Sequence, residues 1–111
     1  MNRDFVGIAA RDEEKMTIGN RTLKFMFVPN LHWPDTMYTF IEEEQILVTC
    51  DSFGSHYCLP EVVSTEIKNE EDYQKALKYY YDCIIGPFKP FMLKALDRVE
   101  NMDISLSLIH I

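Results

Sequence analysis

Leu31-His32-Trp33-Pro34-Asp35 and, one hairpin later, Asp51-Ser52-Phe53-Gly54-Ser55-His56-Tyr57 are the two stretches that decide how this chain is read. Each follows a run with the marks of a β-strand. An imidazole and a carboxylate are therefore expected just past the ends of two strands that can lie side by side, the way a β-scaffold presents metal ligands. Two ligands do not fill a metal site. The sequence announces a chemistry that it does not complete alone.

Outward from these stretches, the first half reads as strands. Val6 to Ala10 is expected to be a short buried strand. Met16-Thr17-Ile18 and Thr22 to Val28 flank Gly19-Asn20-Arg21, residues that tolerate positive φ, which predicts a hairpin. Leu23, Phe25 and Phe27 alternate with Thr22, Lys24 and Met26, a period of two with the phenylalanine side as the buried face. Met37 to Ile41 and Gln45 to Cys50 predict a second hairpin across Glu42-Glu43-Glu44. Ile46-Leu47-Val48 is continuous, as for a strand covered on both faces.

The second half is helical. Asn69 is the expected N-cap, with Glu70, Glu71 and Asp72 in the first turn, where carboxylates meet the positive end of the helix dipole. Tyr73, Ala76, Leu77, Tyr80 and Ile84 form an amphipathic stripe, and Gly86-Pro87 is expected to stop the helix. A second helix starts near Pro90, a residue suited to a first turn, with Met92, Leu93, Leu96 and Val99 on one side. Strands first and helices second give an α+β fold: one sheet layer of hairpins with two helices on its outer face.

Composition narrows the function. The 111 residues suffice for one small domain, with 47% hydrophobic residues for its core. The net charge of −7 argues against nucleic acid, whose binding needs clustered Lys and Arg. The acidic groups 12–14, 42–44 and 70–72 read as solvated turns and helix starts. Three cysteines without a C-x-x-C pair fit reduced thiols in a cytoplasmic protein. There is no apolar leader and no apolar run near the roughly 20 residues that span a membrane, so a soluble protein with no membrane partner is expected. Leu106 to Ile111, LSLIHI, reads as the in-frame translation of a transposon-end adapter used in library preparation. Residues 106–111 are therefore expected to be a non-native tail, and His110 to carry no function.

Taken together, these segments resemble the flavodiiron proteins, also called A-type flavoproteins or rubredoxin:oxygen oxidoreductases. Their pattern L-H-W-P-D-[ST]-M-[FY]-T is met from Leu31 through Thr39. Their later N-D-x-F-G-x-H-Y is met at Asp51, Phe53, Gly54, His56 and Tyr57, with Cys50 in place of the usual Asn. Gly19 to Phe25 resembles the hairpin that leads into the motif. The resemblance implies that residues 1–105 are a partial metallo-β-lactamase-like diiron domain, part of an αββα sandwich. It implies that His32 is a ligand to one iron and Asp51 the carboxylate bridging both irons of a non-haem diiron centre. It further implies O₂ or NO as substrate, FMN in a following flavodoxin-like domain, rubredoxin or a similar electron donor, and a head-to-tail homodimer. The upstream H-x-E-x-D-H block, the last histidine turn and the flavodoxin-like domain are not found in this sequence. A fragment inactive on its own is the expectation, with no catalytic acid or base and no flavin-binding residue assigned.

The plainer readings of the same residues stand beside these. A lone His after a strand is more often a turn residue than a ligand, and a lone Asp more often a strand-end cap; the surrounding motifs reverse both. His56 is expected to bond locally or line the pocket, Asp35 to order the Pro34 turn, and Trp33 to pack beside the site. One of Tyr79, Tyr80 and Tyr81 resembles the tyrosine that lines the family's substrate pocket. The rivals are a zinc hydrolase of the same fold, with Asp51 between metals that activate water, and a non-catalytic αβ interaction module. The module predicts a monodisperse protein without metal. A severed sandwich predicts an uncovered apolar face.

Overall fold

The computed structural model describes residues 6–58 and 66–109. Strands β1 (Lys15–Ile18), β2 (Arg21–Phe27), β3 (Met37–Ile41) and β4 (Ile46–Val48) are joined in chain order as antiparallel neighbours. The first connection is short because Gly19, at φ +64, takes a backbone conformation that residues with a Cβ rarely adopt. Helices α1 (Glu70–Tyr80) and α2 (Lys89–Val99) follow, and β5 (Leu106–Leu108) returns to pair with β4 in parallel. A parallel neighbour needs a long crossover, and the two helices lie within it. The expected α+β architecture is present as one five-stranded sheet and one helical layer. No helix among the described residues is long and apolar enough to cross a membrane.

Register shows which sheet face meets the helices. Met26 stands opposite Tyr38, and Phe40 opposite Leu47. Met26, Tyr38 and Leu47 share the buried core with Tyr80, Ile85, Met92 and Ala95 of the helical layer. The face expected to be inside, Leu23, Phe25 and Phe27, is the other one. Phe25 is buried there, but Phe27 is 41% exposed. Period two gives two faces without saying which one is covered, and both faces of β2 are apolar at its end.

Three further expectations change. Val6 to Ala10 forms no strand, and Val6 is 97% exposed, because no sheet edge is paired with it. The first helix does not stop at Gly86-Pro87. It widens into a π-turn over Tyr81–Ile85, tightens into a 3-10 turn over Gly86–Phe88, and runs into α2. The π-turn moves the buried position from the expected Ile84 to Ile85. In α2 the inward residues are Met92 and Ala95, while Leu93 and Leu96 are exposed. Leu106–Leu108 pairs with the edge of β4, whose unpaired backbone groups an extended segment can satisfy. His110 lies outside the described residues.

Asn69 caps α1 as expected, its side chain accepting from the Asp72 amide. The Glu42–Glu44 turn is more than a solvated loop. Glu42 pairs with Lys15 at 2.6 Å, Glu44 with Arg21 at 2.7 Å, and Glu43 accepts from the Thr22 amide, binding the second hairpin to the first.

Candidate metal centre

His32 stands in a tight turn between β2 and β3. The Val28 amide donates to the Thr36 carbonyl at 3.0 Å and closes the turn at its base. Within it, the Asn30 amide donates to the Trp33 carbonyl at 2.7 Å, and the Thr36 hydroxyl donates to the same oxygen at 2.9 Å. Thr36, not Asp35, therefore orders the Pro34 turn; its hydroxyl also accepts from the Trp33 amide. Leu31 is fully buried and anchors the turn to the core, so His32 beside it is fixed at the core's rim.

Asp51 stands in the turn after β4. Cys50 enters that turn at φ 51, and the Ser52 amide donates back to the Thr49 carbonyl. The two ligand candidates, 19 residues apart in sequence, meet directly: His32 Nε2 lies 2.9 Å from Asp51 Oδ2. Both remain partly exposed. A nitrogen and an oxygen each about 2.1 Å from one ion, and roughly at right angles, would stand about 3 Å apart. The two side chains are hydrogen-bonded to each other, and that separation is also the spacing of two neighbouring ligands. Among the described residues no group of three or more His, Cys, Asp or Glu gathers at one point.

The other singled-out residues take lesser places. Trp33 packs beside His32 as expected, its ring tilted with centroids 5.6 Å apart, while 63% of it stays exposed. His56, at φ 46, is exposed and meets the Tyr80 ring edge to face at 4.9 Å. The three cysteines are free. Burial pushes the Cys50 thiol up, and its Sγ donates to the Met37 carbonyl. Of the three tyrosines, Tyr79 is exposed, Tyr81 half-buried, and Tyr80 buried with its hydroxyl on the Asp51 carbonyl at 2.5 Å. Burial first, then the Asp51 charge, raises the Tyr80 phenol above its ordinary range.

Sequence reasoning missed Ser52. Its buried hydroxyl donates to the Leu31 carbonyl at 3.1 Å, tying the Asp51 turn to the His32 turn. A serine beside the motif aspartate gives no separate signal. Beside this tie, a cleft of about 370 Å³ opens between the Asp51 turn and the helices, lined by Phe53, Gly54, Leu77, Tyr81, Met92 and Leu96 among others.

No family model matches the chain. Individual relatives do. A flavo-diiron protein of Clostridium acetobutylicum is 43% identical over 97 residues, 86% of this chain and 24% of the relative. A type A flavoprotein of Rhodobacter capsulatus is 38% identical over 93 residues, 84% of this chain and 21% of that one. Among solved structures, the flavodiiron protein of Giardia intestinalis superposes with a TM-score of 0.82 at 35% identity, covering 90% of this chain and 25% of its own. Rubredoxin oxygen:oxidoreductase from Desulfovibrio gigas also reaches 0.82, at 29% identity, with 89% and 24% covered. The chain thus spans about a quarter of the length of the relatives it matches. Sequence and fold agree over about nine-tenths of its residues: the chain belongs to the flavodiiron proteins and corresponds to part of their metallo-β-lactamase-like domain.

Proposed function

We propose that this chain supplies part of the non-haem diiron site of a flavodiiron oxygen or nitric oxide reductase, with His32 and Asp51 as its metal ligands. The observation that carries the reading is the convergence of His32 Nε2 and Asp51 Oδ2 at 2.9 Å, inside the two motifs that mark the family. An imidazole and a carboxylate are donor types that suit iron, and a carboxylate has a second oxygen with which to hold a second cation. Bound iron would supply the redox chemistry, the reduction of O₂ or NO with electrons arriving from a flavin. The residues of this chain do simpler work: His32 and Asp51 hold metal, and neither is a general acid or base.

Two ligands leave the remaining positions to parts of the parent outside this segment, as the flavin and an electron donor such as rubredoxin would be. The names of the relatives, flavo-diiron protein and rubredoxin oxygen:oxidoreductase, support that assignment. The isolated chain is expected to be inactive. Loaded anaerobically with ferrous iron and given a reductant and NO, it should consume no NO above the protein-free rate; sustained turnover would overturn that expectation. The ligand assignment is tested separately with Co²⁺ as the probe, followed by NMR. Paramagnetic shifts at the His32 ring should appear in the wild type and vanish in D51N, and shifts at the residues of the Asp51 turn should appear in the wild type and vanish in H32A.

A further inference from the structure

We infer that Tyr80 is the positioning residue for Asp51, setting where the carboxylate stands by holding its main chain. The inference rests on the reading of Asp51 as a metal ligand. Its first support is direct contact. The Tyr80 hydroxyl donates to the Asp51 carbonyl at 2.5 Å, across 29 residues of sequence and from the helical layer to the turn after β4. A carbonyl one residue's width from a ligating side chain fixes the direction in which that side chain leaves the backbone.

The second support is the shape of the turn. A Cβ at Gly54 would lie 2.7 Å from Tyr80 Cζ and 3.0 Å from its hydroxyl oxygen, closer than carbon atoms approach. Gly54 has no positive φ, so glycine is needed there for space and not for conformation. The turn that carries Asp51 is cut to admit this ring. His56, two residues beyond, then closes edge-on against it.

The third support is the helix. Tyr80 is the last residue of α1, and the next turn is the π-turn Tyr81–Ile85. In a regular α-helix two residues five apart point about 140° away from each other. A turn bonded from i to i+5 is wider and brings them back toward the same side. Tyr80 and Ile85 are both buried, which the wider turn permits. The helix can therefore give Tyr80 to the Asp51 turn and still bury Ile85 in the core. Ser52 completes the frame by tying the same turn to Leu31, the neighbour of His32.

The test keeps the ring and removes only the donor. Y80F should fold as the wild type does, by circular dichroism and urea midpoint, yet bind Co²⁺ about ten-fold more weakly, as loss of an outer partner of a metal ligand does. The Co²⁺-induced shifts at the His32 ring should also change in pattern, which a packing role would not cause. G54A, which drives the ring off the carbonyl while keeping the hydroxyl, should lose affinity in the same way. Y80F and G54A with wild-type affinity and shifts would overturn the inference while leaving the ligands in place. A wild type with no Co²⁺ shift at His32 would overturn the ligand reading and this inference with it.

Discussion

Cys50 holds a left-handed backbone, φ 51, at the position where the family pattern has Asn. Asn is several-fold enriched in that conformation because its short polar side chain bonds locally, whereas other β-carbon residues are strained there. C50N is expected to stabilise the chain by about 1 kcal/mol, read as a higher urea midpoint at unchanged slope; a lower midpoint would show that the Sγ bond to the Met37 carbonyl outweighs the strain. Tyr38 shows the opposite economy. It is fully buried, no described residue accepts from its hydroxyl, and burial pushes its phenol up to about 12, with the nearby Ser52 hydroxyl pulling weakly the other way. That His32 and Asp51 belong together as ligand candidates was legible because family motifs surround them. Tyr80 was not, since three consecutive tyrosines look alike until the helix fixes which one faces the turn. Thr36 and Ser52 act through single hydroxyl bonds, which leave no pattern in a sequence.

At the scale of elements, hairpins, helix starts and the Asn69 cap were legible because turn residues, alternation and capping are local. Helix phase was not. The π-turn shifts the stripe from Ile84 to Ile85, and nothing in Tyr81–Ile85 advertises an extra residue in the turn. One contact between elements carries a pH dependence. Arg98 of α2 donates to the Phe27 carbonyl at 2.6 Å, to Asp12 at 2.8 Å and to Glu13, fastening the segment before β1 and the end of β2 to the helix. Arg98 and then the Phe27 amide hold the Asp12 carboxyl below its ordinary value; Lys24 and then Arg98 do the same for Glu13. A depressed carboxyl stabilises the fold above its unfolded pKa and loses that contribution as pH falls through the folded one. Both carboxylates are about half exposed, so screening limits the pairs to about 1 kcal/mol together. R98Q should therefore be less stable than wild type at pH 7, with the gap narrowing below about pH 4. Urea unfolding at pH 7 and pH 3 checks this, and a gap that widens in acid would reject it.

For the molecule as a whole, the face opposite the helices is the dominant feature. Cross-strand register places Leu23, Phe25, Phe27, Ile41, Ile46, Val48, Leu106 and Leu108 on it. A Cα radius of gyration of 15.7 Å, against about 13 Å for a compact domain of this length, fits a sheet over whose far face the described residues place no second layer. The chain should associate with rising concentration in sedimentation velocity, and F27K should weaken that association. A strict monomer at high concentration would favour the interaction-module rival instead. The parallel seam between β4 and β5 also sets a timetable. Thr49 gives both its amide and its hydroxyl to the Leu108 carbonyl, and sixty positions separate Gln45 from its bonding partner Ser105. At about 5–20 residues per second of synthesis, the edge of β4 waits about 3–12 s on the ribosome for its neighbour. His32 and Asp51 leave the exit tunnel before Tyr80 does, so the two proposed ligands are made before the tyrosine proposed to align one of them.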